Sequence, residues 1–121
     1  HAAAYHELLR ELPVIRPVVA EHARPVFHIY AIRVGQRDAV LAALGEAGVS
    51  CGIHYPVPVH RMKAYEHLGV PAGSLPVAER CAEGFLSLPM FPDLTQAQIE
   101  CVAEQLHRHT KDRPAPVSAV A

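Results

Sequence analysis

The chain has 121 residues, half of them hydrophobic, and a formal net charge of −1 at neutral pH. This length and hydrophobic content suit one domain with its own core, and the lack of a Lys/Arg-rich run argues against a nucleic-acid partner. No apolar stretch approaches the roughly 20 residues that cross a bilayer, so we expect no membrane partner and a cytoplasmic protein. Because the chain begins with His1 and helical sequence follows at once, we also expect it to be cut from a longer protein.

An amphipathic helix is predicted at the start of the chain. The helical spacing i, i+3, i+4, i+7 is carried by the apolar residues Tyr5, Leu8, Leu9 and Leu12. Pro13 ends this helix. The following segment, residues 13–25, is rich in proline and is predicted to be an irregular connection.

A strand, a helix and a second strand are predicted next. The β-branched and aromatic run from Val26 to Val34 indicates a strand covered on both faces. The apolar stripe of residues 37–47 predicts a helix, and Gly48 is suited to the left-handed conformation that ends it. Residues 49–55 are predicted to form the second strand. Pro56 and Pro58 have no N–H for a sheet ladder, so residues 56–59 should form a stiff exposed loop.

The second half of the chain predicts three helices and a strand. Residues 61–68 indicate a short helix closed by Gly69, and Pro76 begins another. A third strand is predicted at residues 86–90. The last helix has a complete start signal, a capping box and a hydrophobic staple, formed by Thr95 with Gln98 and by Leu94 with Ile99.

This order of elements predicts an α+β fold: a small, mainly antiparallel sheet of three or four strands with helices packed on it. The domain should span residues 1–111. Residues 112–121 are rich in Pro, Ala and Val without periodicity and are predicted to be a disordered tail.

The segment from Gly52 to His60, Gly-Ile-His-Tyr-Pro-Val-Pro-Val-His, is the densest group of polar side chains in the sequence. His54 and Tyr55 should point to opposite faces of their strand, so that one of them meets a ligand. A stiff loop that presents donors such as His60 binds an anion or sugar at little ordering cost. The residues alone leave open the alternative that His54 and Tyr55 are half-buried strand residues and that His60 caps a helix.

Other kinds of site find less support in the sequence. The nine histidines lack metal-ligand spacing, since His60 and His67 are not an i, i+4 pair, and we expect no metal site. Cys51 lacks an orienting Asn or Asp nearby and is interpreted as strand packing. The four glutamates at helical i, i+4 spacing are interpreted as solvated helix faces: Glu79, Glu83, Glu100 and Glu104.

Five motifs in order together resemble the C-terminal domain of the DegT/DnrJ/StrS sugar aminotransferases. They are PVFHIYAIRV followed by Arg37-Asp38, GIHYPVPVH, Ala64-Tyr65, LPVAER and LSLPMFPDLTQAQI. The resemblance runs from about Tyr5 to about Leu106. It implies a homodimeric enzyme of pyridoxal-phosphate fold type I that moves an amino group from glutamate or glutamine to a nucleotide-linked keto-sugar. Within it, His54, Tyr55 and His60 match family positions near the sugar nucleotide, and we expect them to bind substrate.

In this family the lysine that forms the Schiff base and the aspartate that pairs with the pyridine nitrogen lie in the N-terminal domain, which holds most of the cofactor. Lys63 and Lys111, the only lysines here, match neither position. The resemblance therefore implies a fragment without a catalytic residue, inactive alone, whose first helix should be under-packed, with exposed apolar surface beside Tyr5, Leu8 or Leu9. Two alternatives stay open: a pyridoxamine-phosphate-dependent sugar dehydratase of the same fold, and a stand-alone metabolite-binding module.

Overall fold

The computed structural model of the chain describes residues 1–113. Its elements, in chain order, are α1 (Ala2–Leu8), β1 (Val14–Ile15), β2 (Tyr30–Val34), α2 (Arg37–Glu46), two 3-10 helices (Val59–Arg61 and Lys63–Leu68), α3 (Pro76–Gly84), β3 (Phe85–Leu88) and α4 (Gln96–Thr110). Of the predicted tail, residues 114–121 lie outside the described part of the chain.

The three strands form one antiparallel sheet in the order β1-β2-β3. Val14 lies opposite Val34 in the first pair of strands, and Tyr30 lies opposite Leu88 in the second. This confirms the predicted α+β class with its small antiparallel sheet and packed helices. No helix within residues 1–113 combines the length and the apolar character that crossing a membrane requires.

One face of the sheet carries the core. Successive strand residues point to opposite faces, so β2 and β3 place one set of apolar side chains together: Tyr30, Ile32, Val34, Leu86 and Leu88. α2 packs on these two strands, and α4 packs on both α1 and α2. The helices complete the core with Tyr5, Leu9, Val40, Leu44, Ile99, Val102 and Leu106.

The sequence predicted an under-packed first helix with exposed apolar surface beside Tyr5, Leu8 or Leu9. For two of these three residues the prediction is wrong. Tyr5 and Leu9 are wholly buried, and only Leu8 is partly exposed, at 37%. The Tyr5 ring lies 5.1 Å from the Tyr30 ring, centroid to centroid, and its hydroxyl donates to the Pro89 carbonyl at 3.0 Å. α4 also lies against α1, so this helix finds its packing partners within the described chain.

The predicted strands are longer than the observed ones. At the first of them, Val26 is 90% exposed, and Phe27 has a φ of 49°, which an extended strand does not accommodate, so β2 begins only at Tyr30. The second, predicted at residues 49–55, is reduced to one bridge between Gly52 and Ser87, because the chain turns away from the sheet after Gly52. β1 lies inside the segment predicted to be irregular.

Most predicted helix ends are confirmed. Gly48 and Gly69 adopt left-handed φ values of 78° and 63°. Thr95 and Gln98 form the full capping box, in which the Gln98 amide donates to the Thr95 hydroxyl at 3.3 Å and the Thr95 amide donates to the Gln98 side chain at 2.8 Å. The helix predicted at residues 61–68 is instead two 3-10 helices, because Met62 between them is extended.

Candidate substrate-binding site

The second face of the sheet positions the candidate site. Ala31 and Arg33 of β2 and Phe85 and Ser87 of β3 point to this face, away from the core. α3 packs here against β2. Gly52 exchanges two backbone hydrogen bonds with Ser87, at 3.0 and 2.8 Å. This bridge brings the predicted site segment, residues 52–60, to the edge of the second face.

His54 is oriented by the sheet. Its Nδ1 lies 2.8 Å from the Ser87 hydroxyl, and its Nε2 makes no hydrogen bond within residues 1–113. Gly52 leaves room for the ring, since a Cβ at this position would lie only 3.0 Å from His54 Cε1. His54 is exposed, so its Nε2 is free to meet a ligand.

Tyr55 is 72% exposed. The peptide bond before it is cis, and its ring lies edge-on to the His54 ring with 5.6 Å between centroids. The expectation that His54 and Tyr55 point to opposite faces of a strand is therefore wrong, because this segment is not extended sheet. The alternative that both are half-buried also fails, since both are exposed.

His60 is held inside the fold. Its side chain is only 8% exposed, and its Nε2 lies 3.0 Å from a carboxylate oxygen of Glu79 in α3. His60 is the middle residue of a three-residue 3-10 helix rather than the first residue of an α-helix. So short a helix sums few peptide dipoles, and its start offers an anion little attraction.

Glu79 was interpreted as part of a solvated helix face, and this is wrong. Its carboxylate accepts hydrogen bonds from the Gly73 amide at 2.9 and 2.8 Å and from the Leu75 amide at 3.3 Å, in addition to the contact with His60. The Gly73 hydrogen bond, with smaller contributions from His60 and Leu75, lowers the pKa of Glu79 against the opposing effect of burial. The i, i+4 spacing with Glu83 gave no signal of this network, which depends on the loop before α3.

A groove of about 570 Å³ lies beside these residues. Its walls are mostly apolar and include Tyr55, Val59, Tyr65, Leu68, Leu75 and Phe85. A second, more polar hollow of about 400 Å³ is lined by Arg61, Lys63 and Glu66. Of the described residues, His60 alone lines both. Sequence reasoning missed Tyr65 and Phe85 as site residues because only the folded chain brings them beside residues 55–60.

The described residues do not fit a Schiff-base site for pyridoxal phosphate. Such a site needs a lysine in a sheltered pocket, whereas Lys63 and Lys111 are both exposed. Burial raises the pKa of the Cys51 thiol to about 11, which keeps it protonated and unreactive at neutral pH. Within residues 1–113, no three His, Cys, Asp or Glu side chains come together as a metal site would require.

The aminotransferase family DegT/DnrJ/EryC1/StrS matches residues 1–107 of the chain. A pleiotropic regulatory protein of Geobacillus stearothermophilus is 40% identical over 115 residues, covering 90% of this chain and 31% of that protein. The dTDP-3-amino-3,4,6-trideoxy-alpha-D-glucose transaminase of Micromonospora megalomicea subsp. nigra is 44% identical over 93 residues, covering 73% of this chain and 25% of the relative. The chain thus spans between a quarter and a third of these proteins.

Solved structures agree with the sequence matches. DesV of S. venezuelae, determined in complex with a ketimine intermediate, superposes with a TM-score of 0.85 at 39% identity, over 88% of this chain and 29% of DesV. The small antiparallel sheet and its packed helices are therefore shared with that structure. From the match over residues 1–107 and this structural likeness, the chain belongs to the DegT/DnrJ/EryC1/StrS aminotransferase family.

Proposed function

We propose that the chain is the C-terminal domain of a cytoplasmic, homodimeric aminotransferase that transfers an amino group from glutamate or glutamine to a nucleotide-linked keto-sugar. Family membership over residues 1–107 supports this proposal, as does the name of the Micromonospora relative, a transaminase of a dTDP-linked sugar. The observation that carries it is the position of the GIHYPVPVH segment. Tyr55 and residues 57–60 of this motif line an open groove, and His54 directly precedes them in a chain that matches the family over residues 1–107.

In this proposal the rim of the groove binds the sugar nucleotide. The free Nε2 of His54 and the exposed hydroxyl of Tyr55 are suited to donate to sugar or phosphate oxygens. His60 uses Nε2 toward Glu79, so it would contact the ligand through Nδ1. The apolar walls of the groove would exclude water, which strengthens these few polar contacts.

We place the cofactor on a part of the enzyme beyond this chain, because the described residues supply no sheltered lysine. Pyridoxal phosphate supplies the electron sink that transamination requires. The role proposed for this chain is to bind and orient the sugar nucleotide, and the chain alone is expected to be inactive.

The coding sequence upstream of His1 gives the first test. A lysine at the family's cofactor position supports the aminotransferase, a histidine there indicates the dehydratase alternative, and a start codon immediately before His1 indicates a stand-alone binding module.

The decisive test is an assay of the full-length protein with pyridoxal phosphate, an amino donor, and dTDP- or UDP-linked keto-sugars. We expect an amino-sugar nucleotide, detected by mass spectrometry, whose formation requires glutamate or glutamine. His54→Ala should weaken the reaction, while the control His22→Ala, at an exposed position outside the groove, should not. Formation of a dehydrated sugar without amine, or no product from any keto-sugar, would contradict the proposal.

A further inference from the structure

Glu79 connects three parts of the chain that are distant in sequence. It lies in the first turn of α3, and its side chain is 22% exposed. Its two oxygens accept from the Gly73 and Leu75 amides and contact His60 Nε2, all within 3.3 Å. A carboxylate offers about four lone-pair positions, so these partners nearly saturate it. The Glu79 carboxylate is thus hydrogen-bonded mainly to groups of the protein rather than to water.

The contact with His60 fixes a wall shared by two cavities. The His60 ring separates the apolar groove from the polar hollow beside it. Because a carboxylate only accepts, His60 Nε2 must carry the proton of this hydrogen bond. The ring is therefore held in one orientation, and its Nδ1 is the atom left for a ligand. A charge-assisted bond in a partly buried setting is stronger than one between neutral groups in water.

We propose that Glu79 is a positioning residue for sugar-nucleotide binding. Its carboxylate accepts hydrogen bonds from both the His60 ring and the Gly73 and Leu75 amides, an arrangement that we call the clasp. The clasp holds the His60 ring in place as part of the groove wall. This inference rests on the function proposed above. Glu79 would act through His60 and does not itself touch the ligand. A purely structural role, in which Glu79 only stabilises the start of α3, predicts the same hydrogen bonds. In that case, however, the effect of Glu79→Ala on ligand affinity would be the same with and without His60.

The clasp itself is testable in this chain without any ligand. By NMR, the His60 Nε2–H resonance and the slow amide exchange of Gly73 and Leu75 should both be lost in Glu79→Ala. They should persist in Glu83→Ala, because Glu83 lies one turn further along α3, is exposed, and makes no side-chain hydrogen bond within residues 1–113. A His60 ring signal unchanged in Glu79→Ala would overturn the clasp. If Glu79→Ala does not fold, Glu79→Leu provides the same comparison, because it removes both acceptor oxygens at a similar side-chain volume.

Positioning is tested by a double-mutant cycle in the full-length protein, with sugar-nucleotide affinity measured by calorimetry. Glu79→Ala should weaken binding at least about tenfold when His60 is present, because a displaced His60 ring loses its own hydrogen bond to a charged group of the ligand. In a His60→Ala background the same change should cost no more than about twofold, as expected when one residue acts only through the other. Equal losses in both backgrounds would overturn the positioning role.

Failure of the proposed function gives a different result. If the wild-type full-length protein binds no nucleotide sugar, the proposed function fails and the positioning role with it, although the NMR comparison still reports the clasp. If wild type binds and the cycle shows no coupling, only the inference about Glu79 is overturned.

Discussion

Replacing Tyr5 tests whether α1 belongs to the core of this chain. Tyr5 is wholly buried, its ring packs at a tilt against the Tyr30 ring, and its hydroxyl donates to the Pro89 carbonyl. Tyr5→Ala removes the ring and leaves a cavity, which costs about 3–5 kcal/mol for a large aromatic residue. Tyr5→Phe keeps the ring and removes one hydrogen bond, which costs about 0.5–1.5 kcal/mol.

The free energy of unfolding is to be measured by urea titration of the chain, followed by far-UV circular dichroism. The control is Leu8→Ala on the same helix, where the side chain is partly exposed and the expected loss is below about 1 kcal/mol. The reasoning is refuted if Tyr5→Ala costs no more than Leu8→Ala. Such a result would mean that α1 is held only weakly and would revive the under-packed helix expected from the sequence.

Three further predictions concern the cofactor, a helix start and the clasp. The isolated chain, incubated with pyridoxal phosphate and dialysed, should retain no borohydride-reducible adduct, and a stoichiometric adduct at Lys63 would contradict the placement of the cofactor outside this chain. Thr95→Ala should lower the free energy of unfolding by about 0.5–2 kcal/mol because it removes the capping box, and a loss indistinguishable from zero would mean that the box contributes little. Since the fold lowers the pKa of Glu79, its ionised form stabilises the chain above the ordinary glutamate pKa, and this stability is lost as the pH falls through the lowered value. Urea midpoints of wild type and Glu79→Gln should therefore differ at neutral pH and converge in acid, and a constant difference would argue against this linkage.

Features set by neighbouring residues were predicted well. The capping box needs only Thr95 and Gln98, three residues apart, and the left-handed helix ends need only a glycine at the right place. The strand character of β2 likewise depends on β-branched and aromatic residues close together in sequence. The fold class followed from these local patterns together with the resemblance.

Strand lengths and side-chain partners were predicted less well. The apolar run at residues 49–55 has strand character, yet only Gly52 pairs with β3. In the strand predicted at residues 26–34, Phe27 adopts a left-handed backbone conformation that interrupts the strand. The residue type of Phe27 does not predict this conformation. β1 is too short to have a periodicity of its own.

The candidate site was predicted in part. The sequence located the segment that forms the groove rim, but not the contacts that orient its side chains. Ser87 fixes His54 from 33 residues away, and Glu79 fixes His60 from 19 residues away. Such partners are chosen by the packing of α3 and β3 on the loop, and no local spacing encodes them.

The central claim is that the groove rim binds the sugar nucleotide of an aminotransferase. Its most direct test is sugar-nucleotide affinity of the full-length protein, compared between wild type and Tyr55→Phe, which removes only the exposed hydroxyl. Loss of one hydrogen bond to a charged phosphate should weaken affinity about tenfold or more, with the cofactor absorbance unchanged. Unchanged affinity in both Tyr55→Phe and His54→Ala, in protein that folds normally, would contradict the account.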